Sequence, residues 1–153
     1  MLWKKDQQQI LVSEIKLSRE YQFMYENFVV SSQRRLLLLL EKEQDIIHCL
    51  SFDFKIYKYG YPNDEVGHPM MKYGLGFYGL FKVENSPWIE ELLAANSGHP
   101  HHSDSNYNKY KHYIAKFKDV TLEVVADDAK EIQLPASEIM AFVNKEMACL
   151  ENE

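Results

Sequence analysis

The clearest pattern in the chain begins at Leu36. Leu36 to Leu40 is a compact apolar run, Glu41 to Asp45 is a polar turn, and Leu50, Phe52, Phe54 and Ile56 then alternate with Ser51, Asp53, Lys55 and Tyr57. A period of two sends successive side chains to opposite faces, so the alternation predicts a strand with one face on a core. Leu36–Leu40 and Ile46–Tyr59 are therefore expected to pair antiparallel. Phe28–Val30 is a shorter apolar run before them, and Phe77–Val83 reads as a further strand. Lys111–Phe117 and Val120–Ala126 alternate on either side of Lys118 and Asp119, a spacing that suits a two-residue hairpin even without the Gly or Asn such turns prefer.

Helical spacing recurs at three places. Trp3, Ile10, Leu17, Tyr21 and Met24 fall at helical intervals in a stretch without Gly or Pro, which favours an amphipathic N-terminal helix, although Ile10 to Leu17 also fits an alternating strand. Ser86-Pro87 opens a short helix: the hydroxyl caps free amides, proline is tolerated in the first turn, and Glu90 and Glu91 stand near the positive end of the dipole. Asn96-Ser97-Gly98 ends it. A last helix starts at Pro135 to Ser137, with Ile139, Phe142, Val143, Met147 and Leu150 on one face. The sum predicts an α+β domain spanning residues 1–153: an antiparallel sheet of about five strands flanked by N- and C-terminal helices, with one short internal helix.

Composition narrows the class. The 153 residues are 46% hydrophobic and 26% charged with 6 Gly and 5 Pro, which excludes collagen-like, low-complexity and largely disordered chains. Cys49 and Cys149 have no metal-type spacing, and no apolar leader follows Met1, so a reducing cytoplasm is the expected compartment. Both thiols are expected to be buried as small hydrophobes. The longest aliphatic run, Leu36–Leu40, is too short to cross a bilayer. A net charge of -6 opposes general attraction to phosphate backbones or anionic lipid, so nucleic acid and membrane are unfavoured partners. One stretch runs the other way: Lys109, Lys111, Lys116 and Lys118 alternate with Tyr107, Tyr110, Tyr113 and Phe117. A strand with lysines outside and aromatics inside accounts for it better than a single-stranded nucleic-acid platform.

Two polar loops hold the candidate chemistry. Gly60 to Pro69 is dense in turn formers, and His99 to Asn108 follows the internal helix. Five of the six histidines, His68, His99, His101, His102 and His112, lie in these loops or at their edges. Imidazole is the commonest metal ligand and titrates near neutrality, so His68, His99, His102 and His112 are candidate ligands for a divalent metal such as zinc. Asp64 and Glu65 could act there as general base or orient an imidazole. No G-x-S-x-G, phosphate-binding loop or dinucleotide fingerprint is present; Gly74-Leu75-Gly76 with Gly79 precedes a strand, where the fingerprint needs a helix. Aromatic residues around the first loop, among them Tyr61 and Trp88, suit contacts with a protein or small ligand, together with Asn63, Asp64 and His99.

The blocks Tyr59-Gly60-Tyr61-Pro62-Asn63-Asp64-Glu65, His68-Pro69, Glu84-Asn85-Ser86-Pro87-Trp88-Ile89, His99-Pro100-His101-His102 and Lys111-His112-Tyr113-Ile114 together resemble a group of small uncharacterised bacterial hypothetical proteins. The resemblance covers about residues 52 to 130. In those proteins an HP-x-H element corresponds to His99, Pro100 and His102, and a lysine-histidine pair to Lys111 and His112; Lys118 stands where they carry a histidine before Asp119. It implies a bacterial, cytoplasmic protein of unassigned function and draws attention to His68, His99, His102 and His112.

Two functions fit these residues. One is a noncatalytic binding protein that recognises a protein or small ligand through the two polar, aromatic loops, with self-association through the N-terminal apolar stripe open to it. The other is a metal-dependent enzyme, for instance a hydrolase, in which three of the four histidines hold the ion and Asp64 or Glu65 activates its water.

Overall fold

A computed structural model describes residues 9–25, 27–60, 62–98 and 109–151. The expected five strands flanked by terminal helices give way to one seven-stranded antiparallel sheet, with two helices among the described residues. The strands are β1 (Leu11–Glu14), β2 (Phe28–Ser31), β3 (Leu36–Glu43), β4 (Ile46–Gly60), β5 (Gly79–Glu84), β6 (Lys111–Lys116) and β7 (Thr121–Pro135), in the order β1-β5-β6-β7-β4-β3-β2. The helices are α1 (Pro87–Asn96) and α2 (Ala136–Ala148), and a short 3-10 helix spans Pro69–Tyr73. None of the described helices is long and apolar enough to cross a membrane.

No helix forms in residues 9–25; Trp3 lies outside the described residues. β1 pairs with β5, and the chain after it runs without regular structure, packing Ile15, Leu17, Tyr21 and Phe23 against the main core. The period-two pairs Ile15/Leu17 and Tyr21/Phe23 win over the helical spacing of Leu17, Tyr21 and Met24, because extended chain can cover the sheet face with every second side chain.

The five leucines Leu36–Leu40 are all buried, because β3 is covered on both faces. Leu36, Leu38 and Leu40 enter the main core with Leu50, Phe52, Leu80, Tyr113, Leu122 and Val124, while Leu37 and Leu39 join Ile47, Cys49 and Ile139 beneath α2. Fully burying each such leucine contributes about 2 kcal/mol. A third cluster, Val12, Leu75, Phe81, Val83 and Ile114, lies under the 3-10 helix.

Bulges decide which face the polar residues occupy. The β3/β4 register shifts between Leu39 and Glu41, so that Glu41 stands opposite His48. One extra residue reverses the parity, turning Glu41 and Glu43 away from α2 and onto the main-core side with His48. A second irregularity, opposite Phe52 to Phe54, accommodates Asp127 and Asp128, and β7 continues to Pro135 where the alternating pattern ends at Ala126. The acidic pair that reads as a strand end is thus an interruption within one.

α2 begins after Pro135, and of its apolar face only Ile139 is buried. Met147 and Leu150 are exposed because the second half of the helix runs clear of the sheet, and Cys149 is exposed with them, contrary to its expected burial. The β6/β7 turn matches its reading: Phe117 N–H donates to the Val120 carbonyl across Lys118–Asp119. Its lysines do not all face solvent, since Lys116 is 1% exposed on the face of β6 that also carries His112 and Ile114.

Candidate functional site

The two-residue turn fixes the register of β6 against β7 and sets Ile114 opposite Glu123, so His112 and Glu123 are diagonal neighbours on one face. β5 ends at Glu84, and Asn85, with φ of 58°, turns the chain so that Ser86 caps α1 above that face. The 3-10 helix, capped by His68, closes the other side. Gly74 ends it at φ of 114°, where a Cβ would lie 2.9 Å from the Val12 carbonyl oxygen, so glycine is required for the loop to sit against β1.

The three elements meet in a continuous hydrogen-bond chain. Met70 N–H donates to His68 Nδ1 at 3.0 Å, and His68 Nε2 lies 2.8 Å from Glu123 Oε2. His112 Nε2 lies 2.8 Å from Glu123 Oε1, and Ser86 Oγ lies 2.7 Å from His112 Nδ1 while accepting from Ile89 N–H at 3.2 Å. Because Met70 N–H needs a lone pair on His68 Nδ1, the network assigns the proton to Nε2, which donates to the carboxylate. The same assignment lets Ser86 donate to His112 Nδ1 and His112 donate to Glu123. His68, His112 and Ser86 are all buried. Burial is the largest influence on Glu123 and would raise its carboxyl; the hydrogen bonds from His112 and His68 outweigh it and hold the group well below the ordinary carboxylate range.

Serine, histidine and carboxylate in sequence are the components of an acyl-transfer triad. Here the serine is 4% exposed and also accepts from the Ile89 amide at the start of α1, and the chain of hydrogen bonds joins α1, the sheet and the 3-10 helix as a clamp. Trp88 packs edge-on over His112 with ring centroids 5.2 Å apart, and Lys58 Nζ stands 4.1 Å from the Trp88 ring centroid. Trp88 is therefore a wall of the clamp.

The outer half of the first loop has its own anchor. Tyr78 Oη donates to Asp64 Oδ2 at 2.7 Å, Lys118 Nζ reaches the same oxygen at 3.3 Å, and Asp64 N–H donates to the Lys118 carbonyl. The Tyr78 hydrogen bond first, then the Lys118 ammonium, keep the Asp64 carboxyl below its usual range. Thr121 Oγ1 donates to the Pro62 carbonyl, fixing the loop's entry. Around these anchors Val66, Phe77 and Tyr78 are exposed, Phe77 at 57%.

Of the residues singled out in the sequence, the structure brings His68 and His112 together on Glu123. Asn63 accepts from Glu65 N–H in an Asx turn, Glu65 itself faces solvent, and Asp64 serves as an anchor. Tyr61, His99, His101 and His102 lie outside the described residues. Among the described residues, the three-donor group whose ligand atoms all lie within 4.8 Å of one another is Glu41, Glu43 and His48, away from this site. Sequence reasoning missed Glu123, yet the signal was there: counting outward from the Lys118–Asp119 turn puts that acid beside His112. It also missed that the Ser86 cap would hold a histidine.

Comparison of the chain with protein-family models, curated proteins and solved structures finds no match.

Proposed function

We propose that this protein is a noncatalytic recognition module that binds a protein partner through the loop of residues 62–78. The observation that carries the reading is the exposure of Phe77, beside Tyr78 and Val66, on a loop pinned at both ends by the Asp64–Tyr78–Lys118 anchor and the His68–Glu123 clamp. Outward aromatics on a preorganised loop lose little freedom on binding and resemble the anchors of protein interfaces. Their outward direction favours a protein surface over a small ligand, which would need enclosing walls. The reading moves recognition from Trp88, which is half-buried between His112 and Lys58, to the more exposed Phe77 and Tyr78.

Saturation of the buried groups counts against the metal-dependent hydrolase. Each ring nitrogen of His68 and His112 has a partner within the protein. To hold an ion, each imidazole would have to give up either Glu123 at Nε2 or its partner at Nδ1, Met70 N–H for His68 and Ser86 Oγ for His112.

The test uses wild type and Phe77→Ser as paired baits in quantitative affinity capture, with matching melting temperatures as the fold control. The expected result is a protein retained by wild type, bound directly when both components are purified, and weakened about tenfold or more by the substitution, the loss of one interface anchor. Equal direct binding by both forms, or capture that fails with purified components, overturns the proposal.

A further inference from the structure

A second polar cluster lies on the main-core side of the β3/β4 hairpin, remote from the loop of residues 62–78. The bulge at Leu40 brings Glu41, Glu43 and His48 to one face, and their donor atoms lie within 4.8 Å of one another. Their centre holds a cation supplied by the chain itself. Arg19 NH2 lies 2.7 Å from Glu41 Oε2, and Arg19 NH1 lies 3.3 Å from Glu43 Oε1 and 3.0 Å from His48 Nε2. His48 Nε2 is also 3.2 Å from Glu43 Oε1. His48 is buried, and the two glutamates and the arginine are open to solvent at the rim.

We propose that Glu41, Glu43 and His48 bind a zinc-class divalent cation, with the Arg19 guanidinium as its built-in competitor. One imidazole and two carboxylates are the ligand types that zinc accepts, and three protein ligands leave a position for water or a further ligand. The two carboxylates carry two negative charges, of which Arg19 offsets one; a divalent ion in its place offsets both. His48 Nε2 is the ring atom turned into the cluster, with Arg19 NH1 at 3.0 Å and Glu43 Oε1 at 3.2 Å, and in the neutral tautomer that leaves its lone pair free it is a metal ligand. Arg19 sits on the irregular chain between β1 and β2, so its side chain can leave without breaking a sheet hydrogen bond. It has somewhere to go, since its guanidinium already lies 5.8 Å from the Tyr21 ring centroid.

A tether between the N-terminal chain and the hairpin would use the same groups, and the two roles differ in the effect of removing Arg19. Chelator-treated, tag-free protein is dialysed to equilibrium against zinc chloride and its bound metal is counted. The expected result is one zinc per chain that depends on this cluster, weakened about a hundredfold in Glu41→Gln/Glu43→Gln, which keeps size and hydrogen bonding but removes two anionic ligands. Arg19→Gln binds zinc severalfold tighter than wild type. Equal zinc binding by wild type and the double variant places the metal elsewhere, for example on the His99–His102 run, and overturns the proposal. No tightening in Arg19→Gln, or no bound zinc in either wild type or that variant, overturns it as well.

Discussion

Glu123 and His68, 55 residues apart in the chain, meet at 2.8 Å between Oε2 and Nε2. That one contact ties the loop between β4 and β5 to the middle of the sheet, and the second oxygen of Glu123 ties in His112 and, through it, α1.

Glu123→Gln is expected to cost about 2–4 kcal/mol at pH 7, because one charge-assisted hydrogen bond becomes neutral and the other imidazole N–H then faces an amide NH2, which accepts nothing. Since folding holds the Glu123 carboxyl below its usual value, its contribution is complete above the unfolded glutamate value and is lost as pH falls below about 4.3 toward the folded one. Urea unfolding from pH 7 to pH 3 checks this: the gap between wild type and variant should narrow with acid, and a constant gap would assign the acid sensitivity to other groups.

Ser86→Ala removes the α1 cap and leaves His112 Nδ1 buried without its hydroxyl, so a loss of about 2–3 kcal/mol is expected. An exposed cap alone costs nearer 1 kcal/mol, and a measured loss of that size would show that the hydrogen bond to His112 adds little.

Lys116 is a buried charge that folding disfavours. Burial lowers its ammonium pKa, partly offset by the charges of Asp64 and Glu123, so the unfolded chain binds its proton more readily than the folded one. Stability attributable to this group therefore rises with pH through the window from the lowered folded value to the ordinary lysine value of about 10.4. Lys116→Met should be at least as stable as wild type at pH 7, with its advantage shrinking toward pH 10; a less stable variant at pH 7 would mean that the ammonium makes a net favourable contact.

The two thiols should separate cleanly. Cys49 is buried, and burial pushes its thiol up to about 11, whereas Cys149 is exposed at the end of α2. Ellman titration of the native protein at pH 8 should count one rapidly reacting thiol per chain, removed by Cys149→Ser, and two after denaturation. Rapid reaction of the Cys149→Ser variant would show that β3 and β4 open locally.

The hairpins, the Ser86 cap and the start of α2 were legible because each is written in local chemistry: period-two alternation, a hydroxyl before proline, a polar turn between apolar runs. The N-terminal chain was not legible beyond an open choice between a helix and the strand over Ile10 to Leu17 that β1 bears out, because Leu17, Tyr21 and Met24 satisfy a helical interval while Ile15, Leu17, Tyr21 and Phe23 satisfy an extended one, and the sheet face decides between them. Nor were the bulges, which leave no mark of their own in residue type; a shift of one residue at Leu40 is what places Glu41 with His48. The candidate site was half legible. Two of its histidines were named, but the carboxylate between them emerges only when two strands are set in register.

The sheet order carries a consequence for how the chain reaches this structure. Its two longest strands, β4 and β7, lie side by side at the centre and pair Ile46 with Pro135 and Gly60 with Thr121. Each also belongs to a local hairpin, β3/β4 or β6/β7, which closes over a short turn and forms in microseconds. Docking one hairpin on the other must instead close a loop of some sixty residues or more before any contact rewards it, and this late step should set the folding rate. Substitutions at the β4/β7 seam, such as Val124→Ala, should slow refolding, whereas changes in β1, which joins only the outer edge of β5, should act mainly by speeding unfolding.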